Sequence, residues 1–346
     1  MEESLLSPEF LRRLGGAEIR TVLLAGCGGG FDFVHGMLIY KELLRRGKRV
    51  VIGSYSFGDP TRIGGPTTAV FEAGGVVVRR VSAASAPDPY YCPEVHLCAF
   101  LDSRFPAAAP HEVYAYYARA FTVPLLRELY LQLVSRHAID AIVIVDGGSD
   151  SLMRGDEEGL GDPIEDSVSV AAVASVDAIE ARILLSVGLG CDRYNQVSDA
   201  ASLRAVAELT AAGGFLGAVT LHRGADAFGF YRDCIDFIDS RQGFRSVLSG
   251  CIIAAGEGQF GHHVPPRLRS RVKADDLYLW PLMATLWGFD VERVAERSFT
   301  ATWIRDQTTV AGCYEALARG RAALGAGLRP VENLPRHETM RCRGQR

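Results

Sequence analysis

The sequence predicts an α/β protein: a Rossmann-like, doubly wound, mostly parallel sheet of about six strands with flanking helices. Three observations lead there. Short runs of β-branched and aliphatic residues alternate with longer stretches of helical periodicity, the pattern of successive βαβ units. The first run, Thr21-Val22-Leu23-Leu24-Ala25, passes into a glycine-rich turn at residues 26–32. The run Ala141-Ile142-Val143-Ile144-Val145 is uniformly apolar, as a strand covered on both faces must be, and ends in Asp146-Gly147-Gly148.

The elements follow in order. After the first strand a helix is expected over 33–46, with apolar residues on one side and Gly47 as its C-cap. Strands are expected at 48–54 and 76–78. Residues 82–110 carry Pro87, Pro89, Pro93, Pro106 and Pro110, which predicts an irregular, lid-like insertion. One long helix, or two broken by Pro124, is expected over 111–137. An Ala/Val/Ser helix over 165–179 is narrow enough to pack directly on a sheet. A strand at 183–187, a helix at 199–212 and a strand at 215–221 come next. Helices are expected at 225–240, 245–255 and 310–324, while 277–287 fits either strand or helix. No internal repeat or linker divides the chain, so residues 1–346 read as a single α/β domain with its core at about 20–325 and a flexible tail at 326–346.

Composition narrows the classes. The 346 residues are 48% hydrophobic and 23% charged, which is globular rather than disordered. A formal net charge of −4 and the lack of a basic cluster before the tail argue against nucleic acid as a partner. The start, Met1-Glu2-Glu3-Ser4, is acidic where a secretory leader is basic. No apolar run reaches 18 residues, so no membrane partner is expected. The eight cysteines form no C-x-x-C pair, which fits reduced, buried thiols in a cytoplasmic protein. Self-association into a homo-oligomer is left open.

Two constellations carry the candidate chemistry. In Gly26-Cys27-Gly28-Gly29-Gly30-Phe31-Asp32 the glycines let a ligand approach the main chain, and the following helix N-terminus favours an anion. The dinucleotide fingerprint fails because Phe31 stands where its last glycine belongs, and no Gly-Lys-Ser/Thr completes a phosphate loop. The turn also resembles the first motif of S-adenosylmethionine methyltransferases, but the acidic residue expected after the second strand is missing around residues 53–57. The second constellation runs from Asp146-Gly147-Gly148-Ser149-Asp150-Ser151 through Arg154 and Asp156 to Asp166, at the carboxyl end of a buried strand. Asp146 and Asp150 are assigned to chemistry, with Asp32 as a further carboxylate. Asp150 and Asp156 are the candidate metal ligands, with Mg²⁺ the cation that such oxygen donors suit. Glu157 and Glu158 read as a solvated run, and Glu165 and Asp166 as acids favouring a helix start. Gly26, Gly28, Gly29, Gly30, Gly147, Gly148, Ser149, Ser151 and Arg154 are candidate ligand contacts. Asp192 and His222 join them from later strand ends, and Ser54-Tyr55-Ser56-Phe57-Gly58-Asp59 could contact a nucleoside.

The Gly-Gly-Gly-Phe-Asp turn, the Asp146–Gly161 motif and Trp280-Pro281-Leu282-Met283 together resemble domain-of-unknown-function family 1152, an uncharacterised prokaryotic family. The resemblance spans about residues 20–325 and implies a compact α/β domain, with no catalytic residue to carry over. From the residues, the expectation is an enzyme acting on a small polar metabolite: a nucleotide, nucleoside or phosphosugar. Carboxylates at the strand ends would serve hydrolytic or group-transfer chemistry with divalent-metal assistance. The alternatives are an S-adenosylmethionine-dependent methyltransferase-like enzyme and a non-catalytic nucleotide or metabolite sensor.

Overall fold

The computed structural model describes residues 6–273, 277–325 and 327–334. Nine strands form one sheet: β1 Thr21–Gly26, β2 Arg49–Gly53, β3 Thr68–Ala73, β4 Val76–Ser82, β5 Glu112–Ala115, β6 Ala141–Gly147, β7 Ala181–Val187, β8 Phe215–Thr220 and β9 Thr285–Asp290. Their spatial order is β3-β4-β5-β2-β1-β6-β7-β9-β8. The five central strands, β5-β2-β1-β6-β7, run parallel. β4 pairs antiparallel with both β3 and β5, and β9 pairs antiparallel with both β7 and β8.

The sheet is therefore wider than the six strands expected. Three further strands account for the excess. β3 and β5 escape the pattern reading, and β5 falls where a helix was expected from residue 111; the helix there is Val123–His137. Of the ambiguous stretch 277–287 only the last three residues are strand: a short 3₁₀ turn at Pro281–Ala284 leads into β9, which is inserted between β7 and β8. Within 82–110, expected to be irregular, Pro93–Arg104 forms a helix, with Pro93 at its first position where a missing N–H costs nothing. Its Val95, Leu97, Cys98, Phe100 and Leu101 are buried in the core.

Successive side chains of a strand point to opposite faces, and here they enter two apolar clusters. Val22 and Leu24 of β1 belong to the cluster under helices Met37–Arg45, Pro93–Arg104 and Asp226–Asp239. Leu23 and Ala25 belong to the one under Val123–His137 and Pro163–Ala174. All five residues 141–145 are fully buried, and each Val or Ile among them contributes roughly 1.5–3 kcal/mol relative to staying exposed.

Residues 327–334 do not trail from the domain as a flexible tail would. Arg329 pairs with Asp156 and Glu157, and the Leu334 N–H donates to Asp199 at 2.8 Å. The remainder of the expected tail lies outside the described residues.

Candidate functional site

Chain order reverses between β1 and β6: from β1 the chain proceeds outward to β2, and from β6 outward to β7. Their register pairs Gly26 with Val145. Loops leaving two adjacent parallel strands in opposite directions open a crevice at the strands' carboxyl ends, where open α/β sheets take ligands. A cavity of about 130 Å³ occupies that crevice.

Six aspartates line it. Asp32 comes from the loop after β1, Asp146 from β6, Asp150 from the turn beyond it, and Asp192 from the loop after β7. Asp162 and Asp166 come from the start of the helix Pro163–Ala174. Backbone amides fix several of them. Asp32 accepts from the Gly28 N–H at 2.8 Å and the Gly147 N–H at 3.0 Å, tying the β1 and β6 loops together. Asp192 accepts from the Ser149 N–H at 2.8 Å, and Asp150 from the Asp162 N–H at 3.0 Å. The Ser151 hydroxyl donates to Asp146.

The three nearest one another are Asp32, Asp146 and Asp166: one carboxylate oxygen from each lies within 4.8 Å of the others, and all three residues are buried. Oδ2 of Asp166 is buried and receives no hydrogen bond. Burial, followed by repulsion from Asp150, pushes Asp32, Asp146, Asp166 and Asp192 well above the usual carboxylate range. Burial raises Asp150 as well, while the Asp162 N–H opposes that rise. At Asp166 the charges of Asp146 and Asp32 add to the repulsion from Asp150. His35 does not neutralise the cavity: burial drives its imidazole down to about 3, and Nδ1 is engaged with the Tyr231 hydroxyl at 2.8 Å. Among the described residues, Arg271, exposed at the mouth, is the one cationic side chain in the lining.

The site differs from the sequence expectation in defined ways. Gly28, Gly29, Gly30 and Gly147 line the cavity with Asp32, Asp146, Asp150 and Asp192. The Gly28 amide, expected to hold an anionic ligand, holds Asp32 instead. Gly26 ends β1 behind the lining, where its carbonyl faces the Ser169 hydroxyl. Gly148, Ser149 and Ser151 also stand behind it: Gly148 accepts from the Ser186 hydroxyl, and Ser149 meets Ser202 at 2.9 Å. Three expected site residues stand away from this cavity. Asp156, expected as a metal ligand, lies outside the cavity and is engaged by Arg329 and Arg154. Arg154 turns away onto the Phe299 ring at 4.2 Å. His222 is exposed beyond β8, two strands out from β7, because β9 intervenes. The adjacent His262 and His263 are exposed and lie outside this cavity.

Asp166 is the main residue that sequence reading missed. An acid in a first helical turn is what the helix dipole favours, so its position concealed its second role. Phe57, Phe244, Tyr194, Asn195 and Ser246 also contribute walls. Ser246 caps the helix Val247–Gly256, accepting from the Ser249 N–H, and brings that helix N-terminus to the mouth.

Fold and site together define an α/β protein with a buried carboxylate centre at the strand ends of a mostly parallel sheet. A family model described as protein of unknown function (DUF1152) matches residues 23–322, and the chain belongs to that family. Neither the curated proteins nor the solved structures contain a match. Among the described residues, no helix is long and apolar enough to cross a membrane.

Proposed function

We propose that this protein is a divalent-cation-dependent hydrolase or transferase acting on a small phosphorylated metabolite. The observation that carries the reading is the Asp32–Asp146–Asp166 group, with an Asp166 oxygen that no donor reaches. A buried, unpaired carboxylate is costly, and a hard cation removes that cost while taking oxygen ligands. Mg²⁺ or Mn²⁺ held there would neutralise the cavity and polarise a phosphate oxygen. Arg271 and the amino-terminal turn of Val247–Gly256 stand at the mouth, where they suit the outer charge of the same phosphate. Asp150 and Asp192, outside the three-carboxylate group, suit the role of general base toward water or an acceptor hydroxyl.

The parallel order β5-β2-β1-β6-β7, with a site at the point where chain order reverses, also favours a Rossmann-like, doubly wound description. The test is calorimetric titration with Mn²⁺ and Mg²⁺, followed by a turnover screen of phosphorylated metabolites with and without metal. Wild type should bind the cation and turn over a phosphate ester only in its presence, and Asp166→Asn should lose both. Equal cation binding by wild type and Asp166→Asn would sink the site. Cation-dependent ligand binding without any turnover would favour a sensor instead.

A further inference from the structure

A second cavity, of about 260 Å³, adjoins the acidic one, and Phe57 and Phe244 line both. Its remaining lining includes Gly58, Tyr90, Tyr91 and Glu94. Glu94 comes from the helix Pro93–Arg104 yet stands at the carboxyl end of β2. The hydroxyls of Ser54 and Ser56, which follow that strand, both donate to its Oε1, Ser54 at 2.6 Å. Glu94 is 1% exposed, and its Oε2 is buried without a hydrogen-bond partner. The neighbouring Cys92 thiol is only a weak donor.

Dinucleotide-binding sheets place an acid at the end of the second strand to accept hydrogen bonds from ribose hydroxyls. In this chain the strand-end positions are serines, and a carboxylate delivered from a distant helix occupies the place of that acid. The rings beside it suit a base. Phe244 packs edge-on against Tyr90 and Tyr91, with centroids 6.3 and 5.3 Å away. The Tyr91 hydroxyl donates to the Gly30 carbonyl at 2.6 Å, joining this wall to the glycine turn of the first cavity.

We propose that the second cavity is the nucleoside half of a nucleotide site. Oε2 of Glu94 accepts from a ribose hydroxyl, and Phe57, Tyr90 and Phe244 flank the base. The inference rests on the cation-and-phosphate reading only for where the phosphates lie. It makes the substrate class of that site a ribonucleotide.

The test uses the full chain, without metal, and four ribonucleosides (adenosine, guanosine, cytidine, uridine) beside their 2′,3′-dideoxy counterparts, read by ligand-observed NMR and calorimetry. At least one ribonucleoside should bind, with its dideoxy counterpart at least roughly tenfold weaker, as loss of a hydrogen bond to a charged group requires. Glu94→Gln should erase most of that discrimination. Tyr90 is 66% exposed, so Tyr90→Ala leaves the core intact and should weaken every nucleoside even if the Glu94 variant fails to fold. Binding by no ribonucleoside, or equal binding of a ribonucleoside and its dideoxy form, overturns the proposal. Magnesium pyrophosphate titrated into the same protein separates the two readings. Nucleoside binding without pyrophosphate binding defeats the cation-and-phosphate site alone, and the reverse defeats the nucleoside cavity alone.

Discussion

A methyl group placed on Gly28 would lie 2.1 Å from Oδ1 of Asp166 and 3.0 Å from Oδ2 of Asp32. The glycine turn after β1 therefore works first as clearance for carboxylates, and its backbone freedom serves their approach. Gly28→Ala must push Asp166 or Asp32 aside. We expect a loss of about 1–3 kcal/mol in a denaturant titration, typical of overpacking a closed site, together with weaker Mn²⁺ binding. A Gly28→Ala protein with unchanged stability and cation affinity would show that the turn yields freely.

Acid–base linkage gives a second prediction. Asp32, Asp146, Asp166 and Asp192 are raised in the folded chain, chiefly by burial, whereas in the unfolded chain an aspartate titrates near about 3.9. The folded state then holds more protons than the unfolded one, so stability falls with rising pH. Their favourable contribution is complete below about pH 4 and is lost as pH climbs through the raised values. The metal-free protein should therefore melt at a lower temperature at pH 8 than at pH 5. Binding Mn²⁺ should release protons and reverse the trend, and cation at 100 times its dissociation constant adds about 2.7 kcal/mol. Asp166→Asn removes one of the repelling charges. It should raise the melting temperature at pH 8 without metal and abolish the Mn²⁺ increment.

Parts of this arrangement are legible in the sequence because they depend on local pattern. Residues 141–145 form an unbroken apolar run, and the turn after β1 carries four glycines in seven residues, so both announce themselves. β5 is four residues long and sits just before a 15-residue helix, so helical periodicity nearby swamps it. β9 is obscured for another reason: Gly288 interrupts its strand pattern. The carboxylate centre was half visible: Asp146 closes the apolar run of β6, and Asp32, Asp150 and Asp192 follow strand ends, where ligand residues belong. Asp166 needed the packing of Pro163–Ala174 over Gly28, and Glu94 needed the helix Pro93–Arg104 to cross to the end of β2. Arg154 and Asp156 misled because nearness in sequence to Asp150 does not survive the turn that carries them to Phe299 and Arg329.

His35 supplies a third prediction. It lines the cavity at 1% exposure, and burial holds it near 3. A histidine free to titrate would change charge between pH 5 and 8. His35 should instead give ¹⁵N imidazole resonances that do not move across that range. Tyr231→Phe would leave Nδ1 without its partner and should cost about 1–3 kcal/mol. A normal titration near pH 6.5 would mean that the cavity admits water and charge at that ring.

The last prediction concerns residues 327–334. Glu157 is fully buried and accepts from the Gly155 N–H at 2.8 Å, and its charged partner is Arg329 at 2.6 Å. Arg329 also holds Asp156, at 3.0 Å through Nε. Removing one partner of a buried pair strands the other, so Arg329→Ala should destabilise the fold by roughly 3 kcal/mol. Further along, the Leu334 N–H and Arg193 both engage Asp199, with Arg193 at 2.7 Å. Arg193 lies between Asp192 and Tyr194, two residues of the cavity lining. Ending the chain at residue 326 therefore frees the 191–195 loop at the mouth as well as Glu157. Such a protein should be cleaved first in that loop under limited proteolysis, and its Mn²⁺ affinity should fall. Unchanged proteolysis and affinity would show that the loop is held by the sheet alone.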